Sequence, residues 1–158
     1  MIVADTDVLI DFLEGCRPGS TAVASALASG QLQTTVISCY ELLSGARQPA
    51  KRRAARTLLQ AIPILPLDEN TTRKAAEVRR HLEASGEMIG MADLLIAGIV
   101  LLQGSTLLTR NRHDFERIPH LSLADLPQTS RPHTASAVLR FNSKQDAIHA
   151  RPCRTDSN

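Results

Sequence analysis

The chain has 158 residues, 43% of them apolar and 22% charged, with a net charge of +2. That length supports one domain with a sizeable core. The longest apolar run, Leu94 to Leu102, is half of the roughly 18 residues a membrane span requires.

The N-terminus lacks the basic-then-apolar pattern of a secretion signal. Three widely spaced cysteines, Cys16, Cys39 and Cys153, form neither a disulfide framework nor a zinc-ligand spacing. A reducing cytoplasm is therefore the expected compartment. Residues 1–126 carry a net charge of −1 and residues 127–158 a net of +3. A nucleic-acid partner would have to be met by local patches or by the C-terminal segment, not by a broad basic surface.

Ile2-Val3-Ala4 is an apolar run of strand length that ends abruptly in Asp5-Thr6-Asp7. Val8-Leu9-Ile10, Phe12 and Leu13 then resume the pattern, which predicts a buried strand, an acidic turn and an amphipathic helix. Ser20-Thr21 is a candidate N-cap for a helix over Ala22–Ser29, stopped by Gly30. Residues 33–38, rich in β-branched side chains, predict a second strand, and the helix after it carries Tyr40 and Glu41 in its first turns. Pro49 suits the start of another helix, with Ala55, Leu58, Leu59 and Ile62 on one face. Residues 62–67, broken by Pro63 and Pro66, predict an edge strand. Asp68 precedes a long helix over about 69–85 closed by Ser85-Gly86, and Met91–Gln103 predicts a buried helix whose one charge is Asp93. A fourth strand is expected at 105–109 and a weak fifth at Leu121–Leu123. Strands alternating with helices imply a parallel sheet with right-handed crossovers. Beyond Pro127 the periodicity fades, so 127–158 is expected to be a largely disordered, weakly basic tail.

Four carboxylates occupy comparable places in this order. Asp5 ends the first strand, Glu41 lies just past the second, Asp93 opens the apolar helix and Asp114 follows the fourth strand. In a parallel sheet all four positions open on the carboxyl edge, where α/β proteins bind ligands. Each acid alone has an ordinary alternative, as a turn residue, a helix cap or a solvated loop side chain. Together they would repel one another unless some took up protons or a divalent cation supplied the opposite charge. Oxygen-only ligands favour Mg²⁺ or Mn²⁺ over zinc. The matching chemistry is attack of metal-activated water on a phosphodiester.

These residues resemble a known family, the PIN-domain ribonucleases, and specifically the VapC-type toxins of toxin–antitoxin pairs. Asp5-Thr6-Asp7-Val8-Leu9-Ile10 is similar to the family's opening. Glu41-Leu42-Leu43-Ser44-Gly45-Ala46 resembles its E-L-x-x-G-x element. Ile89-Gly90-Met91-Ala92-Asp93-Leu94-Leu95-Ile96-Ala97 resembles its helix start, and Thr109-Arg110-Asn111-Arg112-His113-Asp114-Phe115 its T-x-N-x-x-D-F loop. The resemblance covers residues 1 to about 126. It implies a three-layer α/β sandwich around a five-stranded parallel sheet in the order 3-2-1-4-5. It implies a metal-dependent endoribonuclease with Asp5, Glu41, Asp93 and Asp114 as the acidic cluster. Asp5, Asp93 and Asp114 would be the direct metal ligands, braced by Thr109 and Asn111. It also implies a homodimer and a small antitoxin that covers the acidic cleft. Position 7 departs from the pattern: Asp stands where the family usually has Asn or Ser, adding a fifth carboxylate.

For RNA, Arg110 and Arg112 alternate with Thr109 and Asn111 beside the acids and are the candidates to hold the scissile strand. Arg47, Lys51, Arg52, Arg53 and Arg56 read as a solvated helix face or a phosphate-tracking patch. Aromatics are few, so recognition by shape and backbone is expected over stacking. Two alternatives remain open from the residues alone. Asp5-Thr6-Asp7 also fits a haloacid-dehalogenase-like phosphomonoesterase using Asp5, but that chemistry needs a lysine and a late acidic pair. The same fold could also serve as a non-catalytic RNA- or protein-binding module.

Overall fold

A computed structural model describes residues 1–127; the expected tail, apart from Pro127, lies outside the described residues. Strand β1 (Ile2–Ala4) leads into helix α1 (Thr6–Glu14), followed by α2 (Gly19–Ala28) and β2 (Leu32–Thr35). Helices α3 (Val36–Gly45) and α4 (Pro49–Gln60) precede β3 (Ile64–Leu65). The second half is α5 (Glu69–Ser85), α6 (Met91–Leu102), β4 (Thr106–Leu108), α7 (Arg112–Phe115) and β5 (Ser122–Leu123). The sheet order is β3-β2-β1-β4-β5, and every pairing is parallel. The five-stranded sheet expected above is therefore present, with the proline-flanked β3 on an edge.

Alternation along the strands builds two cores. Val3 and Leu107 face one side of the sheet, where they pack with Val78 and Leu82 of α5 and Leu94, Ile96, Ile99 and Val100 of α6. Ala4 and Leu108 face the other, against Val8 and Leu9 of α1, Val23 of α2, Leu42 of α3 and Leu58 and Leu59 of α4. The result is a three-layer sandwich. Thr34, buried inside β2, satisfies its hydroxyl on the Ala4 carbonyl of the neighbouring strand, 2.9 Å away. Among the described residues no helix is long and apolar enough to cross a membrane.

Local chemistry explains the element ends. Asp68 and Thr71 cap α5 reciprocally: Thr71 N donates to Asp68 Oδ1 (2.8 Å) and Asp68 N donates to Thr71 Oγ1 (2.7 Å). Gly86, at φ 71°, supplies the left-handed residue that ends it. Two expectations are corrected. The strand predicted over 33–38 stops at Thr35, whose hydroxyl caps α3 by accepting from Ser38 N at 3.0 Å. Val36 and Ile37 are thus drawn into the helix despite their strand preference. Ser20-Thr21 does not cap α2, which begins at Gly19 after Pro18 with no side-chain cap. Cys39 is a free, half-buried thiol that serves as a packing residue.

Helices α5 and α6 touch closely at Gly98, where a Cβ would stand 2.7 Å from the Thr71 carbonyl and 2.8 Å from the Ala75 Cβ. Gly98→Ala is expected to lower stability by about 1–3 kcal/mol through overpacking. Denaturant unfolding checks it; an unchanged midpoint would mean that α5 yields without cost.

Candidate active site

Pairing of β1 with β4 sets the site. Ala4 stands opposite Leu108, and Asp5 N donates to the Leu108 carbonyl at 2.9 Å. The next residues, Asp5 and Thr109, therefore emerge side by side at the carboxyl edge. Both are buried, at 7% and 1% exposure. Asp5 is the N-cap of α1: Oδ1 accepts from Thr6 N at 2.7 Å, and Oδ2 accepts from Thr109 Oγ1 at 2.8 Å. The Thr109 hydroxyl in turn accepts from Asn111 N (3.1 Å), and Asn111 Nδ2 donates to Asp114 Oδ2 (3.1 Å). Asp5 and Asp114 are thus tied to one loop by the two side chains expected to brace them. Glu41, half-buried on α3, accepts from Thr6 Oγ1 at 2.5 Å, which fastens α3 to the same strand end. Asp93 lies in the first turn of α6, after Gly90, where the helix dipole favours an anion.

The charges of these groups act on each other. Burial, the first cause, together with Asp7 and Asp93, pushes the Asp5 carboxyl up to about 7 from 3.8, against the lowering pull of its Thr109 and Thr6 hydrogen bonds. Asp93 is likewise raised, by burial first and then by Asp114, Glu41 and Asp7. Residues scattered from position 5 to 114 therefore share one electrostatic neighbourhood. Asp7 belongs to it: its Oδ2 accepts from Arg110 N (2.8 Å) and lies 3.3 Å from Thr109 Oγ1, while its buried Oδ1 has no partner among the described residues.

The two arginines part company. Arg110 stands over α1, with Nη1 3.4 Å from Asp11 Oδ1 and Nε 3.9 Å from Asp7 Oδ2. Arg112 turns to the far side of α7, where it pairs with Glu116 (3.0 Å), reaches Asp125 (3.8 Å) and donates to the Ala124 carbonyl (2.8 Å). Its partners tie α7 to the chain after β5, with the side chain about a third exposed. Asp11, 4% exposed, is the site-adjacent residue that sequence reasoning missed. Its spacing of i, i+4 from Asp7 on an apolar helix was the available signal.

Among the described residues no three His, Cys, Asp or Glu side chains are placed to close on one ion. The donor set nevertheless fits a hard dication. Every donor is oxygen, the buried Oδ1 of Asp7 is without a partner among the described residues, and burial first, then Asp7, raises Asp5 to about 7.

A parallel five-stranded sheet with carboxylates gathered where β1 and β4 end defines a class of α/β protein built on an acidic pocket. The chain belongs to the PIN domain family, whose model matches residues 2–121. It is similar to Ribonuclease VapC10 of Mycobacterium tuberculosis, 35% identical over 121 residues that cover 77% of this chain and 90% of the relative. Among solved structures it is similar to VapBC2 from Rickettsia felis bound to a DNA fragment from their promoter. That likeness has a TM-score of 0.71 and 25% identity, over 78% of this chain and 98% of that one. VapBC-1 from nontypeable Haemophilus influenzae gives a TM-score of 0.68 and 27% identity, over 80% and 98%.

Proposed function

We propose that this chain is a Mg²⁺- or Mn²⁺-dependent endoribonuclease, the toxin of a toxin–antitoxin pair, that works in the cytoplasm as a homodimer and is silenced by a small cognate antitoxin. Residues 1–126 would form the nuclease and 127–158 an appendage to it. The observation that carries this reading is that Asp5, Asp7, Glu41, Asp93 and Asp114 act on one another at one sheet edge: burial first, then Asp7 and Asp93, raises Asp5 to about 7, and burial first, then Asp114, Glu41 and Asp7, raises Asp93. Relatives named ribonucleases, and neighbours solved as VapBC complexes, support the substrate and the partner.

In this reading Asp5, Asp93 and Asp114 hold the cation, with Glu41 completing the acid set. A bound dication would acidify a water and offset charge gathering on the scissile phosphate. The protein's own part is orientation. Thr109 fixes Asp5, Asn111 fixes Asp114, and Asp7 holds the loop that carries both braces. Arg110, half-exposed beside Asp7, meets the strand as a cation.

The phosphomonoesterase alternative loses its lysine. The two lysines among the described residues pair elsewhere, Lys51 with Glu14 and Lys74 with Glu77. The test is cleavage of RNA by purified protein with Mg²⁺ or Mn²⁺ and with a chelator. Metal-dependent internal cuts are expected. Equal cleavage in chelator, or release of phosphate from a small monoester instead, would overturn the proposal.

A further inference from the structure

The Asp11 carboxylate takes no part in the acid cluster, yet it is buried and its Oδ2 has no hydrogen-bond partner among the described residues. Gly19, the first residue of α2, walls it in: a Cβ there would stand 2.2 Å from Asp11 Oδ2 and 2.8 Å from its Cβ. The carboxylate thus faces the positive end of one helix from the flank of another. Its one charged partner among the described residues is Arg110, at 3.4 Å.

We propose that Asp11 is a positioning residue: with Gly19 behind it, it holds the Arg110 guanidinium beside the acid cluster as a preset receiver for a phosphate of the RNA strand. This rests on the nuclease reading above.

The physical case has three parts. A buried carboxylate that loses its cation is left uncompensated, so Arg110 does not swing freely into solvent. Nη1 faces Asp11 and Nε faces Asp7, the backbone N–H is fixed on Asp7, and the side chain remains 51% exposed. With half of the side chain exposed, the fork keeps donors open to a phosphate. An arginine ordered in advance also spares RNA binding the loss of its rotamer freedom. The arrangement sets one cation against an otherwise anionic pocket, where the strand must approach.

The sign of the effect separates this from simple charge counting. Removing an acid should tighten RNA binding if only net charge matters. Positioning predicts the reverse. Binding of a labelled single-stranded RNA to the full-length protein, with Ca²⁺ in place of Mg²⁺, should weaken about tenfold in Asp11→Asn, and similarly in Arg110→Ala. The slope of log affinity against log salt should become shallower by about 0.7 in each, the share of one phosphate contact on a single strand. The double variant should lose no more than either single one. Gly19→Ala, which displaces the same carboxylate without changing charge, should reproduce the loss. Arg79→Ala, on the exposed face of α5, should bind as wild type does. An RNA-free readout keeps the two readings apart. The Arg110 Nε–H resonance should be slow to exchange in wild type and averaged in Asp11→Asn. Wild-type affinity in Asp11→Asn, multiplying losses in the double variant, or an Arg110 signal already averaged in wild type would each overturn the proposal. A wild-type protein that binds RNA with these couplings but cuts none would instead overturn the nuclease reading.

Discussion

Asp5→Asn is expected to reduce metal-dependent RNA cleavage by roughly 10²-fold or more, the scale of losing a metal ligand or its orienter, while making the metal-free protein more stable. The two effects have one source. Ionised Asp5 sits buried beside Asp7 and Asp93, and its displacement from 3.8 to about 7 corresponds to a strain on the order of 4 kcal/mol above neutral pH. Asparagine removes that charge and keeps the local structure, since its carbonyl oxygen still accepts from Thr6 N and the Thr109 hydroxyl can reverse to accept from the amide. Asp93→Asn should behave alike in cleavage. Turnover assays and thermal unfolding of the same samples check the pair of results. Intact cleavage in both variants would end the case for this pocket. Lost cleavage together with a lower unfolding temperature would point to misfolding instead.

The metal-free protein should become less stable as pH rises from about 4 to about 7. Throughout that window the folded chain keeps a proton on Asp5 that the unfolded chain has released, so raising the pH favours the unfolded state. The contribution is complete below the unfolded value and gone above the folded one. Asp11 and Asp93 are displaced in the same direction, by burial first, and add to the slope. Asp68 and Glu77 are displaced downward by their hydrogen bonds from Thr71 and Lys74, so their support fades only at lower pH, and both are exposed and screened. Stability without metal should therefore peak in weak acid. Mg²⁺ or Mn²⁺ at about pH 8 should raise the unfolding temperature, and binding at about pH 6 should release protons. Calorimetry in two buffers of different ionisation heat measures that release. A flat profile through the window, with no response to metal, would show that the acids do not share one pocket.

The layered fold was legible where pattern and chemistry agreed. Asp68 ahead of α5, the Ser85-Gly86 stop after it and the nearly unbroken apolar run of α6 all pointed to the helices observed. The prolines on either side of Ile64–Leu65 marked an edge strand for the same reason: each removes a ladder donor. Legibility failed where a single side chain decided between two local preferences. Val36 and Ile37 prefer strands, and only the Thr35 hydroxyl, turned back on Ser38, commits them to a helix. In the pocket, the acids could be placed on one edge because strand ends are countable from the sequence. The arginines could not. Glu116 is visible four residues after Arg112, but the Ala124 carbonyl that this side chain also meets comes from chain beyond β5. Asp11 was missed because its importance arises only when the start of α2 closes over it.

The hydrogen bond from Thr109 to Asp5 joins residues 104 positions apart in the chain. During synthesis, then, the first half of the polypeptide emerges with Asp5 and no brace, and β1 lacks the neighbour that sets its far edge. A ribosome-bound fragment that stops short of β4 leaves the Asp5 carboxyl without its Thr109 partner, however well its first helices have formed.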